Sequence, residues 1–257
     1  MDILDVLVGG GFGLILSVLV QSYFRPVSAA IESRSRRRWS SPVLIHVERD
    51  PAIIWHDAPD WVGFQVYVDD PTRFAGPTPS ERTKWLRWMK ARNAVDAYTT
   101  PLQVTIQART EAAVVIEGLL LKRHRSVPLS SGAILVRAPA GGADLEPRRF
   151  EVHLDRELVD VDWLLSTGNP GRPPSLVLAA GDIERFHIWA TTSHDSEDAV
   201  RHEWTVELLL LVEGKRQTEV IDDDGKPFVT VTPGNLSSHF NTPGSDDWDG
   251  NPPSAAS

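Results

Sequence analysis

Residues 202–212 read HEWTVELLLLV. Taken with a period of two, Trp204, Val206, Leu208, Leu210 and Val212 share one face, the pattern of a long strand with one side in a core. Glu213-Gly214-Lys215 turns the chain, and strands at 217–221 and 228–232 close a hairpin around Asp222-Asp223-Asp224-Gly225. Asp-Gly between two strands is a hairpin signal because Gly accepts positive φ. Working back toward the N-terminus, strands are expected at 185–191, 176–179, 150–155 and 133–137. Residues 112–121 form a further strand that is apolar nearly throughout. At 102–109, Leu102, Val104, Ile106 and Ala108 alternate with Gln103, Thr105, Gln107 and Arg109. Turn signals fall between these runs. The expected fold is mainly β, an antiparallel β-sandwich, immunoglobulin-like or related, with its core in 101–232. The cysteine pair of a true immunoglobulin domain is absent, so the topology stays open.

Residues 43–100 add to this β-rich domain, which runs over 43–232. Two strands are expected at 43–48 and 62–68, the second with Val62, Phe64, Val66 and Val68 on one face, and an irregular loop between them. One amphipathic helix is expected at about 80–98, with Ser80 as N-cap. Trp85, Leu86, Trp88, Met89 and Val95 fall on one half of its wheel, and Lys84, Arg87 and Lys90 on the other. Such a helix either covers a sheet or lies in a membrane interface. The first is the commoner use and is the expectation here.

The N-terminal stretch 6–24, VLVGGGFGLILSVLVQSYF, has 19 residues and no charge. As a helix it spans roughly 28 Å, close to a bilayer's hydrocarbon thickness. A transmembrane helix is expected at 3–24, with Val6, Leu14 and Leu19 in lipid and Tyr23 at the interface. A secretory signal is the competing reading. Its basic start is missing, although Val27-Ser28-Ala29 could serve for cleavage. A basic juxtamembrane linker follows at 25–42, including Arg36, Arg37 and Arg38. The positive-inside rule places the C-terminal domain in the cytoplasm of a single-pass membrane protein. Gly9 and Gly13 are a small-xxx-small pair, which suits a weak homodimer.

The chain has 257 residues, 41% of them hydrophobic, enough for a real core. With no cysteine there is no disulfide, thiolate metal site or Cys nucleophile. Net charge is -9. Residues 1–38 carry five Arg against Asp2, Asp5 and Glu32, so the remainder is more acidic than the whole. An acidic domain excludes the cationic footprint that nucleic acid requires. Membrane lipid, reached through the anchor, and an unknown protein partner remain as binding partners. The tail 233–257 is rich in Pro, Gly, Ser, Asn and Asp and is expected to be disordered.

Trp204 on its long strand, Gly214 in the turn after it and Gly225-Lys226-Pro227-Phe228 at the close form a pattern. It resembles the C-terminal part of a group of uncharacterised bacterial proteins with an N-terminal hydrophobic segment and a β-rich domain. The resemblance implies no activity and no catalytic residue.

Motifs for chemistry are sparse. His194, Asp195, His202 and Glu203 are metal-ligand types close in sequence, with Glu197 and Asp198 between them and His187 one strand earlier. No metalloprotease spacing accompanies them. A charged loop between two strands more often simply faces water. Neither a P-loop nor a nucleophile elbow is present. No catalytic residue, metal or cofactor is assigned.

The function expected from these features is a membrane-anchored, non-enzymatic β-sandwich interaction module. One alternative is an extracytoplasmic domain that binds a ligand or glycan on exposed tryptophans, of which the chain has nine. Another is a metal-dependent hydrolase using the His194–Glu203 cluster.

Overall fold

A computed structural model describes residues 41–55, 64–70, 84–137, 149–155, 162–164, 170–171 and 176–241. Residues 3–24, most of the basic linker, Ser80 and the tail beyond 241 lie outside the described residues. Among those described, no helix is long and apolar enough to cross a membrane. The chain falls into two units, 1–44 and 45–257, and the second holds nearly all the described elements.

The chain is mainly β. In order, its elements begin with β1 (Val43–Glu48), α1 (Pro51–Ile54), β2 (Phe64–Val68) and α2 (Trp85–Ala91). β3 (Val95–Ala97), β4 (Thr99–Ala108), β5 (Val114–Pro128), β6 (Ala133–Arg137) and β7 (Arg149–His153) come next. β8 (Asp162–Leu164), β9 (Pro170–Gly171), β10 (Leu176–Leu178) and β11 (Ile183–Thr191) lead to the long β12 (Val200–Val212). β13 (Lys215–Ile221), β14 (Phe228–Thr232) and β15 (Ser237–Asn241) complete the described residues.

One sheet has the order β1-β4-β11-β7-β8-β9. The other runs β10-β5-β12-β14-β3-β2-β6-β15, with β13 also on β12. β12 is the spine of the second sheet. It pairs with β5 along its whole length, and on its other edge with β14 and then β13. Trp204, Val206, Leu208 and Leu210 are fully buried, as the alternation at 202–212 requires.

Both sheets are mixed. β7 lies parallel to β11, β3 to β14 and β15 to β6. The purely antiparallel expectation is corrected on this point. Alternation along a strand reports which face is buried and carries no information on the direction of its neighbour.

Five local expectations also change. β13 and β14 do not pair with each other as a hairpin; both lie on the same edge of β12, and a single bridge, Asp223 to Lys226, closes the turn between them. The helix at 80–98 is described only as Trp85–Ala91, because Asn93 takes φ 55° and stops it, and Val95 enters β3 instead. The loop before β2 contains α1, where Asp50 accepts from the Ala52 amide at 2.9 Å and Pro51 opens the turn. The tail is ordered at its start, since β15 pairs with β6. In β5 the register slips against β12 at Leu209/Leu210. The buried set therefore jumps from Val114 and Ile116 to Leu119 and Leu121, which is why the run reads as apolar throughout.

α2 packs on protein. Trp85, Trp88 and Met89 are buried with Val66, Val68, Ala133 and Leu135 of β2 and β6. Trp85 and Trp88 stack at 4.8 Å, while Lys84, Arg87 and Lys90 are exposed.

Candidate functional site

A buried polar chain runs from the core to the surface. Trp204 on β12 donates its indole N–H to Thr230 Oγ1 of β14 at 2.9 Å. Indole is only a donor, so the Thr230 hydroxyl hydrogen is free to reach Thr100 Oγ1 on β4, 2.6 Å away, and this bond joins the two sheets. The Thr100 hydroxyl in turn bonds the Asp96 carboxylate on β3. Arg49, just past β1, donates to Asp96 Oδ2 at 3.3 Å and to Asp223 Oδ2 at 2.5 Å. Its guanidinium also lies over the Phe228 ring, 5.6 Å from the centroid. Burial pushes the Asp96 carboxyl above its ordinary range, and Arg49 and the Thr100 bond pull it back part of the way.

Asp223 comes from the β13–β14 turn, whose shape follows from its sequence. Asp222 accepts from the Gly225 amide at 2.8 Å, and Asp223 and Lys226 exchange backbone bonds. Asp224 and Gly225 both take positive φ. The turn thus delivers one carboxylate to Arg49 and holds Lys226 outward.

Beside this base lies a cleft of about 400 Å³, lined by Arg49 just past β1 and by residues of α2, the α2–β3 connection, β3, β12, the β13–β14 turn and β14. Its cations are Arg49, Lys90, Arg201 and Lys226, against the carboxylates of Asp96 and Asp223. Arg201 has Glu203 at 3.6 Å. Lys90 and Lys226 are exposed and make no ion pair among the described residues. Leu86, Met89, Pro227 and Val229 supply apolar surface. The arrangement can hold an anion beside an apolar group. It brings no nucleophile and general base together.

The residues singled out as metal-ligand types are not gathered. His202 is buried on β12, with Ser126 Oγ at 3.1 Å from Nδ1 and Thr232 Oγ1 at 2.9 Å from Nε2. Burial lowers its pKa, and hydroxyls occupy both ring nitrogens, which makes it a structural ring. Glu203, the next residue on the strand, pairs with Arg201. His194 stacks on Tyr98 at 4.5 Å, and Asp195 is exposed in the same loop. Among the described residues, no group of three or more His, Asp or Glu is placed to hold a metal. His187 stands apart on β11, 3.2 Å from Gln103, with its pKa lowered to about 4 by burial and then by Arg185.

The tryptophans whose side chains are described form no exposed platform. Trp55, Trp85, Trp88 and Trp204 are buried, and Trp189 packs beside Trp55 with ring centroids 6.2 Å apart. Sequence reading missed Arg49, Asp96 and Asp223 as a unit. Asp96 and Asp223 lie 47 and 174 residues beyond Arg49 along the chain, and only strand pairing brings the three together. Compared with known proteins, the chain matches no protein-family model, no curated protein and no solved structure.

Proposed function

We propose that this chain is a single-pass, membrane-anchored, non-enzymatic interaction module. Its β-rich unit faces the cytoplasm and binds a protein partner, with the two mixed sheets stacked as an immunoglobulin-like sandwich. The supporting observation is the cleft beside α2. There Lys90 and Lys226, without an ion pair among the described residues, and an apolar surface sit beside the ion-paired Asp96–Arg49–Asp223 base. A half-buried, ion-paired base with unpaired charges at its rim suits a recognition site. The anchor's uncharged run and its one-sided arginines support the membrane placement.

A photo-crosslinking residue in place of Leu86, in the cleft, and another in place of Val177, an exposed residue of β10, test this in cells. A discrete adduct from position 86 and none from 177 is expected. Equal adducts from both positions, or none from either, would contradict a partner at the cleft.

A further inference from the structure

The cleft's charge pattern narrows what it can bind. Its cations come from separate elements: Lys90 from α2, Arg201 from β12 and Lys226 from the β13–β14 turn. Two carboxylates, Asp96 and Asp223, line the same cleft. They repel a compact dianion such as phosphate about twice as strongly as a single carboxylate at the same distance, because the Coulomb energy scales with charge. An extended peptide instead presents single carboxylates on successive residues about 3.3 Å apart, each repelled by the aspartates half as strongly as a dianion. The apolar surface of Leu86 and Pro227, both half-buried, then has an occupant in a neighbouring apolar side chain.

Both Nη groups of Arg49 are already taken by carboxylates, at 3.3 Å and 2.5 Å, and its Nε is buried, so the rim cations are the ones left for a ligand. In a chain of net charge -9, an acidic ligand gains nothing from long-range steering. Its selection rests on short-range contacts, which suits a specific peptide better than a diffuse charged surface.

We infer that the cleft docks an extended acidic segment of a partner protein, its carboxylates on Lys90 and Lys226 and one apolar side chain over Leu86 and Pro227. This rests on the interaction-module reading and adds the ligand's chemistry to it.

The test uses the full chain in detergent and the fluorescein-labelled peptide EEWEE, read by fluorescence polarisation. QQWQQ is the uncharged control. Saturable binding of EEWEE is expected, with none of QQWQQ. Lys90→Glu combined with Lys226→Glu should weaken it by about tenfold or more. Both lysines are exposed, so the double variant should melt with the parent, and melting is measured alongside. Three results would overturn the inference: no binding of EEWEE, equal binding of QQWQQ, or unchanged affinity in a folded double variant. Displacement of EEWEE by inorganic phosphate or by phosphatidylglycerol in mixed micelles at lower concentration than by unlabelled peptide would overturn it in favour of a phosphate ligand. A crosslinked partner at position 86 together with failure of EEWEE would reject the ligand chemistry alone. Failure of both would reject the module reading as well.

Discussion

Protonating His187 works against the fold. Its folded pKa, about 4, lies below the ordinary value of 6.5. The stability it contributes is therefore complete above pH 6.5 and is lost as pH falls toward 4. His202 shifts in the same direction, while Asp96, raised by burial, gains favour for the fold as pH falls through its folded pKa. Thermal or urea unfolding between pH 7 and 4.5 should show a falling stability. The drop should be smaller in His187→Gln by on the order of 2 kcal/mol. An identical drop in both proteins would rule out His187 as its source. Trp204→Phe keeps a buried ring but leaves Thr230 without its donor, and should cost about 1–3 kcal/mol in denaturant unfolding. At this scale the sequence was a poor guide to the site. His202 and Glu203 look like one cluster, yet strand neighbours point to opposite faces: His202 enters the core and Glu203 meets Arg201. The residues that do assemble, Arg49, Asp96 and Asp223, carry no shared motif.

Elements were more legible than residues, and the misses have local causes. Strands β4 and β12 follow directly from alternation, because each has one face in the core, whereas β6 and β14 bury consecutive residues and so read only as short apolar runs. The helical wheel at 80–98 correctly separated Trp85 and Trp88 from Lys84 and Arg87, but it could not see the stop at Asn93, where one left-handed residue ends the helix. Trp85→Ala should cost about 3–5 kcal/mol, since the ring is fully buried against β2 and β6. Arg87→Ala, on the exposed face, should stay within about 0.5 kcal/mol. Equal effects of the two would mean that α2 does not pack on the sheet. Gly234 explains how the chain leaves β14: at φ 55°, a Cβ there would overlap the Ala199 amide nitrogen and the Asp198 carbonyl carbon. Gly234→Ala should accordingly lower the melting temperature and disturb β15, which follows it.

For the molecule as a whole, composition and period identified a mainly β chain. Pairing direction was out of reach, because partners such as β6 and β15 are separated by some hundred residues and no local signal marks a parallel ladder. Charge distribution was readable in total and hidden in detail: a chain of net charge -9 still gathers four cations around one cleft. The proposed function also puts that cleft in the cytoplasm, behind an anchor at 3–24. Because the chain has no cysteine, Ser130→Cys in an exposed turn gives a single label. Intact cells treated with an impermeant thiol reagent should leave position 130 unlabelled, and labelling should appear only after lysis. Labelling in intact cells would place the unit outside and contradict a cytoplasmic interaction module.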